Sequence, residues 1–157
     1  MTDLPRENVQ SYPRPPDLQP VPQRLRVMLD GAIIAETQRG LRVLETHHAP
    51  TYYFPPEDVH ATLQPARDSS FCEWKGAARY FDIVSGSRVL RKAAWSYPAP
   101  TPRFAALAGY IAFYAGRMDE AWVGTTRVTP QPGDFYGGWV TPNLDGQIKG
   151  APGTRHW

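Results

Sequence analysis

Cysteine is nearly absent from this chain, with Cys72 the only one in 157 residues. A single thiol closes no intramolecular disulfide and builds no Cys-rich zinc site, so packing must hold the core, and a reducing, cytoplasmic setting is expected. Lysine is almost as scarce: Lys75, Lys92 and Lys149 stand against fourteen arginines. No apolar run reaches the roughly 18 residues of a membrane span, and the N-terminus lacks the basic-then-apolar layout of a secretion signal, so no membrane association is expected. Charge is not blocked either. The formal net charge is +2 and the arginines are dispersed, which argues against a nucleic-acid surface. Asp-x-Asp, Asp-x-Glu and Glu-x-Glu pairs are missing, as is a Gly-x-x-x-x-Gly-Lys loop, so neither a two-metal carboxylate site nor a phosphate loop is encoded locally. His47, His48 and His60 fall close together without His-x-His or His-x-x-x-His spacing, and no metal site is expected.

Proline and glycine are abundant, seventeen and thirteen residues without a repeat period, and they punctuate a loop-rich β protein. The length suits one core domain with arms: a Pro-rich N-terminal arm over 1–22, a core over 23–118, and a C-terminal hairpin with a Gly/Pro-rich wrapping tail over 119–157. In the arm, Tyr12-Pro13-Arg14-Pro15-Pro16 with Pro20 and Pro22 favours extended backbone and excludes helix. From Arg24 the pattern alternates, and Asp30-Gly31 between two alternating runs predicts a hairpin. Leu41 to Thr46 reads as a strand and Tyr52-Tyr53-Phe54 as a short aromatic one stopped by prolines; one helical turn follows Pro56. Pro65 to Ser70 reads as a loop, Phe71 to Trp74 as strand, and Gly76 as a break. Ala78 to Val84 and Val89 to Tyr97 make a hairpin around Ser85-Gly86-Ser87. Thr101-Pro102 opens the one expected helix, near 101–109, Tyr110 to Tyr114 favours a buried strand, and Trp122 to Val128 a last small hairpin. The tail from Pro130 onward should wrap the domain or stay mobile.

The stretch Ser69 to Tyr80 concentrates reactive residue types, since it holds Cys72 and Lys75. In an extended strand Cys72 and Lys75 face opposite sides, so their meeting requires a bend at Gly76. Given that bend, an ammonium beside a thiol favours thiolate, with a histidine, His47 foremost, as base. A buried, structural cysteine is the competing reading. The many rings should mostly be core, with several tyrosine and tryptophan polar tips lining a cleft.

Several segments together resemble the domain of unknown function 427 family, also labelled a nucleotidyltransferase domain. They are Arg39-Gly40-Leu41-Arg42-Val43-Leu44-Glu45-Thr46, Pro50-Thr51-Tyr52-Tyr53-Phe54-Pro55, Cys72-Glu73-Trp74-Lys75-Gly76-Ala77-Ala78-Arg79-Tyr80, Ala94-Trp95-Ser96-Tyr97-Pro98 and Gly109-Tyr110-Ile111-Ala112-Phe113-Tyr114. The resemblance covers roughly residues 24 to 118, and the arm and tail match the family's longer form. It implies a compact, mainly antiparallel β domain, β-tent-like or built of two small packed sheets, with one short helix. The nucleotidyltransferase label is disfavoured by the missing carboxylate pairs and phosphate loop.

The leading expectation is a domain that binds a small polar or anionic molecule in an aromatic-lined pocket near Cys72 and Lys75. Arg42, Glu45, Tyr53, Trp74, Tyr80, Trp95, Tyr97 and Tyr110 are the candidate ligand contacts. The alternatives are an enzyme using Cys72, Lys75 and His47, and an interaction module docking through its arm or tail. The sequence specifies neither a cofactor nor an oligomeric state.

Overall fold

The computed structural model describes residues 2–72, 74–133 and 136–150, with the backbone alone at Asp68. Six short strands come first: β1 (Glu7–Asn8), β2 (Asp17–Pro20), β3 (Leu25–Leu29), β4 (Ala32–Thr37), β5 (Leu41–Leu44) and β6 (Thr51–Tyr53). Three long ones follow, β7 (Thr62–Cys72), β8 (Gly76–Ser85) and β9 (Arg88–Ser96). The last are β10 (Ile111–Phe113), β11 (Glu120–Val123), β12 (Thr126–Arg127), β13 (Thr129–Pro130), β14 (Trp139–Val140) and β15 (Leu144–Asp145). They assemble into small sheets ordered β10-β9-β8-β7, β12-β11-β3-β4 and β2-β5-β6, with the pairs β13-β14 and β1-β15. All pairings are antiparallel except β1 with β15, so the fold is mainly antiparallel β, as expected.

Alternation in sequence becomes alternation in burial. Leu25, Val27 and Leu29 of β3 are all buried, and the strand turns back at Asp30 and Gly31, both at positive φ as the tightest hairpins require. The expected strand over 110–114 is the fully buried β10. Tail and arm are woven into the sheets: β2, inside the Pro-rich stretch, pairs with β5, and β11 pairs with β3. The arm also contains a 3-10 turn, Val9–Ser11, which precedes the proline cluster and is capped by the Asn8 side chain, so the exclusion of helix there is corrected.

Two further expectations are revised. Pro65 to Ser70 is not a loop but part of β7, which takes up the proline through a register shift between Pro65 and Ser69. The helix near 101–109 is a 3-10 segment, Pro102–Leu107, interrupted at Phe104. The Thr101 hydroxyl, instead of capping it, donates to the Trp74 carbonyl at 2.6 Å. Phe104 and Leu107, three apart, are both fully buried, a spacing that a three-residue turn satisfies.

The larger apolar cluster packs β3, β11 and the end of β9 around Phe54, Phe113 and Trp139, with Phe54 and Phe113 edge-to-face at 5.4 Å. A second cluster gathers Val43, Tyr53, Trp95, Tyr97, Phe104 and Leu107. Among the described residues no helix is long and apolar enough to cross a membrane.

Trp139 joins the tail to the larger cluster: it is 1% exposed, its indole N–H donates to the Phe113 carbonyl at 3.0 Å and its backbone N–H to Pro50 at 2.8 Å. Trp139→Ala should therefore lower the unfolding free energy by about 3–5 kcal/mol. Urea denaturation measures this, and a loss below about 1 kcal/mol would show that the tail is not part of the core.

Candidate functional site

Strand alternation sorts the family's most specific residues between core and cavity. On β5 and just beyond, Val43 and Glu45 face one way while Arg42 and Leu44 face the other; on β6, Thr51 and Tyr53 share a side and Tyr52 opposes them. From the long sheet come Ser70, Cys72, Ala78, Tyr80 and Trp95, with Tyr97 just past β9. Together they enclose a cavity of about 300 Å³. Cys72 pairs across the hairpin with Gly76, so the chain reverses direction between these two positions. That reversal brings Lys75 to the same cavity as Cys72, the meeting that the sequence allowed only through a bend here.

Lys75 is 8% exposed and its ammonium lies 5.6 Å from the centre of the Tyr97 ring. Among the described residues it has no carboxylate partner. Its backbone carbonyl accepts the Thr101 N–H at 3.0 Å, next to the Thr101 hydroxyl bond to Trp74, so the 3-10 segment fastens the turn that carries it. Around Lys75 the floor is aromatic: Tyr53 stands edge-on to Trp95 with centroids 6.4 Å apart, and Trp95 lies 4.5 Å from Tyr114. Burial pushes the Tyr53, Tyr97 and Tyr114 hydroxyls above the ordinary tyrosine value. They stay protonated; Tyr53 and Tyr97 can donate hydrogen bonds into the cavity, while Tyr114 bonds to Tyr80.

The opposite wall is built by the 45–50 loop and the tail. Gln131 is 2% exposed; its Oε1 accepts the Ala49 N–H at 3.2 Å, which fixes the amide's orientation. Its Nε2 donates to the Lys149 carbonyl at 2.9 Å and approaches His48 Nδ1 at 3.2 Å. Nδ1 must then be the acceptor, and the proton of neutral His48 sits on Nε2, 3.7 Å from the Glu45 carboxylate. Burial pushes His48 below the ordinary imidazole value; Glu45 opposes this, while Lys149, Lys75 and Arg14 reinforce it. Tyr136 stands edge-on to His48 at 5.4 Å, and Lys149 lies over the Tyr136 ring at 5.7 Å. Gly137 lets the tail lie against Trp95, because a Cβ there would fall inside the indole ring.

Of the residues expected at the site, Cys72, Lys75, Glu45, Tyr53, Tyr80, Trp95 and Tyr97 line one cavity. The others lie elsewhere. Arg42 makes a bidentate pair with Glu7 at 2.8 and 2.9 Å and bonds Gln19, anchoring the arm on the opposite face of β5. Trp74 and Tyr110 pack against the second cluster without lining the cavity. His47 is left-handed (φ 66), its N–H donates to Val9 and its carbonyl accepts from Lys149, so it points away and its neighbour His48 points in. Exposed His60 is not a lining residue. Sequence reasoning missed His48, Tyr114, Tyr136, Gly137, Gly138 and Lys149; parity along the strand could have separated Arg42 from Glu45, but nothing local signals contacts that depend on the tail folding back. Residues 151–157 of the tail lie outside the described residues. Among the described residues no group of three or more His, Cys, Asp and Glu side chains could hold a metal ion.

These features define a class: a small antiparallel β domain whose sheets enclose a basic, aromatic-lined cavity roofed by its own C-terminal segment. A family model described as a domain of unknown function (DUF427) matches residues 17–124, more than half of the chain, and the chain belongs to that family. No curated protein matches the sequence.

The His48 network makes stability pH-dependent. With its folded-state value lowered, the unfolded chain protonates first, near pH 6.5, so stability is full above that pH and declines as pH falls toward the folded-state value. His48→Gln should flatten this part of the profile relative to the wild-type chain in urea titrations across about pH 5 to 7. Identical slopes would mean that His48 does not supply the effect.

Proposed function

We propose that the cavity binds a small organic anion with an apolar or aromatic body, held by Lys75. One observation carries this reading: a lysine 8% exposed, over a ring and within ion-pair distance of no described carboxylate, at the wall of a cavity that opens beside it. Taking an ammonium out of water costs several kcal/mol unless an anion or dipoles compensate, and a ring face supplies only a fraction of that. A bound carboxylate or phosphate would complete the pair. Tyr53 and Tyr97 add hydroxyl donors, and the rings supply the apolar surface that such sites use for shape. The cavity volume, about 300 Å³, suits a molecule of about a dozen heavy atoms or fewer.

The nucleophile reading receives less support. Cys72 borders the cavity, but the acceptor nitrogen of His48 is already bonded to Gln131 and His47 is turned away, so neither imidazole stands ready to take the thiol proton. Nucleotidyl transfer needs converging carboxylates, and Glu45 is the only described carboxylate on the cavity wall. An interaction role for the arm would compete with the pairing of β2 with β5 and of Glu7 with Arg42.

The test is Lys75→Met, which keeps the stem and removes the charge. Calorimetric titration with benzoate and other small aromatic carboxylates should show binding that falls at least about tenfold in the variant. The unliganded variant should be as stable as the wild-type chain or more so, because the charge of a largely buried lysine with no described ion-pair partner has been removed. Destabilisation by more than about 2 kcal/mol with unchanged carboxylate binding would assign Lys75 a purely structural role.

A further inference from the structure

The only thiol of the chain borders the Lys75 cavity. Cys72 ends β7, where it pairs with Gly76, and it is partly exposed instead of sealed in the core. Ser70, two residues before it, lines the same cavity, as strand alternation requires. A cysteine kept for packing alone is ordinarily among the most buried residues of a protein. Burial is the main cause that raises the Tyr53 and Tyr97 hydroxyls, and the Cys72 sulfur, when charged, adds to it for both. The thiol therefore stands within electrostatic reach of these two donors.

A second observation, independent of the thiol, points to a ligand at the same place. Lys75 is 8% exposed, lies over the Tyr97 ring at 5.6 Å and lines the cavity within ion-pair distance of no described carboxylate. Tyr97 is common to both groups, with the ammonium over its ring and the thiol within reach of its hydroxyl. Glu45, also on the wall, lies 3.7 Å from His48 Nε2.

We propose that Cys72 is a thiol-exchange site for small disulfides that carry a carboxylate, and that the mixed disulfide so formed fills the Lys75 cavity. The carboxylate of the incoming disulfide rests on the Lys75 ammonium, and its tether presents the nearer sulfur to Cys72. The Cys72 thiolate attacks that sulfur. A new bond forms from Cys72 Sγ, the old S–S bond breaks, and its electron pair leaves with the departing thiolate, which takes a proton from water. Cys72 is oxidised and the departing sulfur is reduced, so the disulfide is itself the oxidant and no other co-reactant enters. One stoichiometric exchange needs no base held in the site, because solvent takes the thiol proton beforehand, and the engaged Nδ1 of His48 is no obstacle. Lys75 is a positioning residue here: it raises the local concentration of the reagent at the sulfur. The product occupies the space that a free anion would use, and a free thiol reverses it, so occupancy of the cavity follows the thiol–disulfide balance around the protein. This rests on the reading of Lys75 given above and adds a covalent anchor to the same site.

The disulfides of 3-mercaptopropionate, 2-mercaptoethanol and cysteamine, which are anionic, neutral and cationic, test it on the full chain. Intact mass spectrometry follows the adduct, and each rate is divided by that of the same reagent with the chain unfolded in urea, which removes intrinsic reactivity. The anionic reagent should gain at least about tenfold over the neutral one, with the cationic one slowest. Benzoate should slow the anionic reagent, and the chain carrying 3-mercaptopropionate should bind benzoate at least about tenfold more weakly until dithiothreitol releases it. Lys75→Met should bring the anionic reagent down to the neutral one's normalised rate and leave the neutral rate unchanged. Equal normalised rates for the anionic and neutral reagents in the wild-type chain overturn the exchange site, and the Lys75 reading survives if benzoate binding still depends on Lys75. An anionic preference that persists in Lys75→Met also overturns the proposal, because another charge is then steering. If benzoate does not bind the wild-type chain, the Lys75 reading fails and this proposal with it. The comparison of the three reagents uses the wild-type chain alone and decides the matter even where Lys75→Met fails to fold.

Discussion

The Gln131 side chain is the constraint on which the site depends. One buried amide accepts from Ala49, donates to the Lys149 carbonyl and donates to His48, so three segments distant in sequence are held by a single planar group. Around it the backbone is zipped: Gln131 N–H donates to Gly138, Trp139 N–H to Pro50, and Lys149 N–H to His47. These bonds convert the C-terminal segment from an appendage into a wall of the cavity. They also determine the chemistry of that wall, because an amide that has used its oxygen elsewhere can only donate to the imidazole. A histidine held as acceptor at Nδ1 and buried favours neutrality, leaving Lys75 and Lys149 as the cavity's positive charges.

Much of the fold was legible because it follows from local rules. Asp30-Gly31 and Ser85-Gly86-Ser87 turned where turn chemistry required, and alternating runs became strands with alternating burial. The grouping of residues at the cavity was legible in outline, since Cys72, Lys75, Glu45, Tyr53, Tyr80, Trp95 and Tyr97 line one cavity while Trp74, Tyr110 and Arg42 do not. What escaped were features decided by tertiary contact. Pro65 marks a loop by propensity, yet β8 supplies a partner that absorbs it as a register shift. The choice between His47 and His48 turns on one left-handed residue, and no pattern in His47-His48-Ala49-Pro50 declares which imidazole faces inward. Arg42 looked like a ligand because it is a strand arginine amid family-specific residues; only the arm folding back to present Glu7 reveals it as an anchor.

The physical asymmetry of two cationic residues, Arg42 on β5 and Lys75 on the turn before β8, is what gives the site its direction. Arg42 is half-buried and paired with a carboxylate in bidentate geometry, so its desolvation is compensated within the chain and it has little left to offer a ligand. Lys75 is buried more deeply than Arg42 and is offset by a ring face and by no ion pair among the described residues. A fold that needed only packing at position 75 would be served better by an apolar side chain, since replacing buried charge with apolar volume is often neutral or stabilising. The two described contacts from Thr101, its hydroxyl on Trp74 and its N–H on Lys75, act on backbone and leave the ammonium unengaged by those bonds. The backbone of Trp74 and Lys75 is thus fastened to Thr101 while the Lys75 side chain meets the cavity, the arrangement expected when a charge is held for an anion that comes from outside.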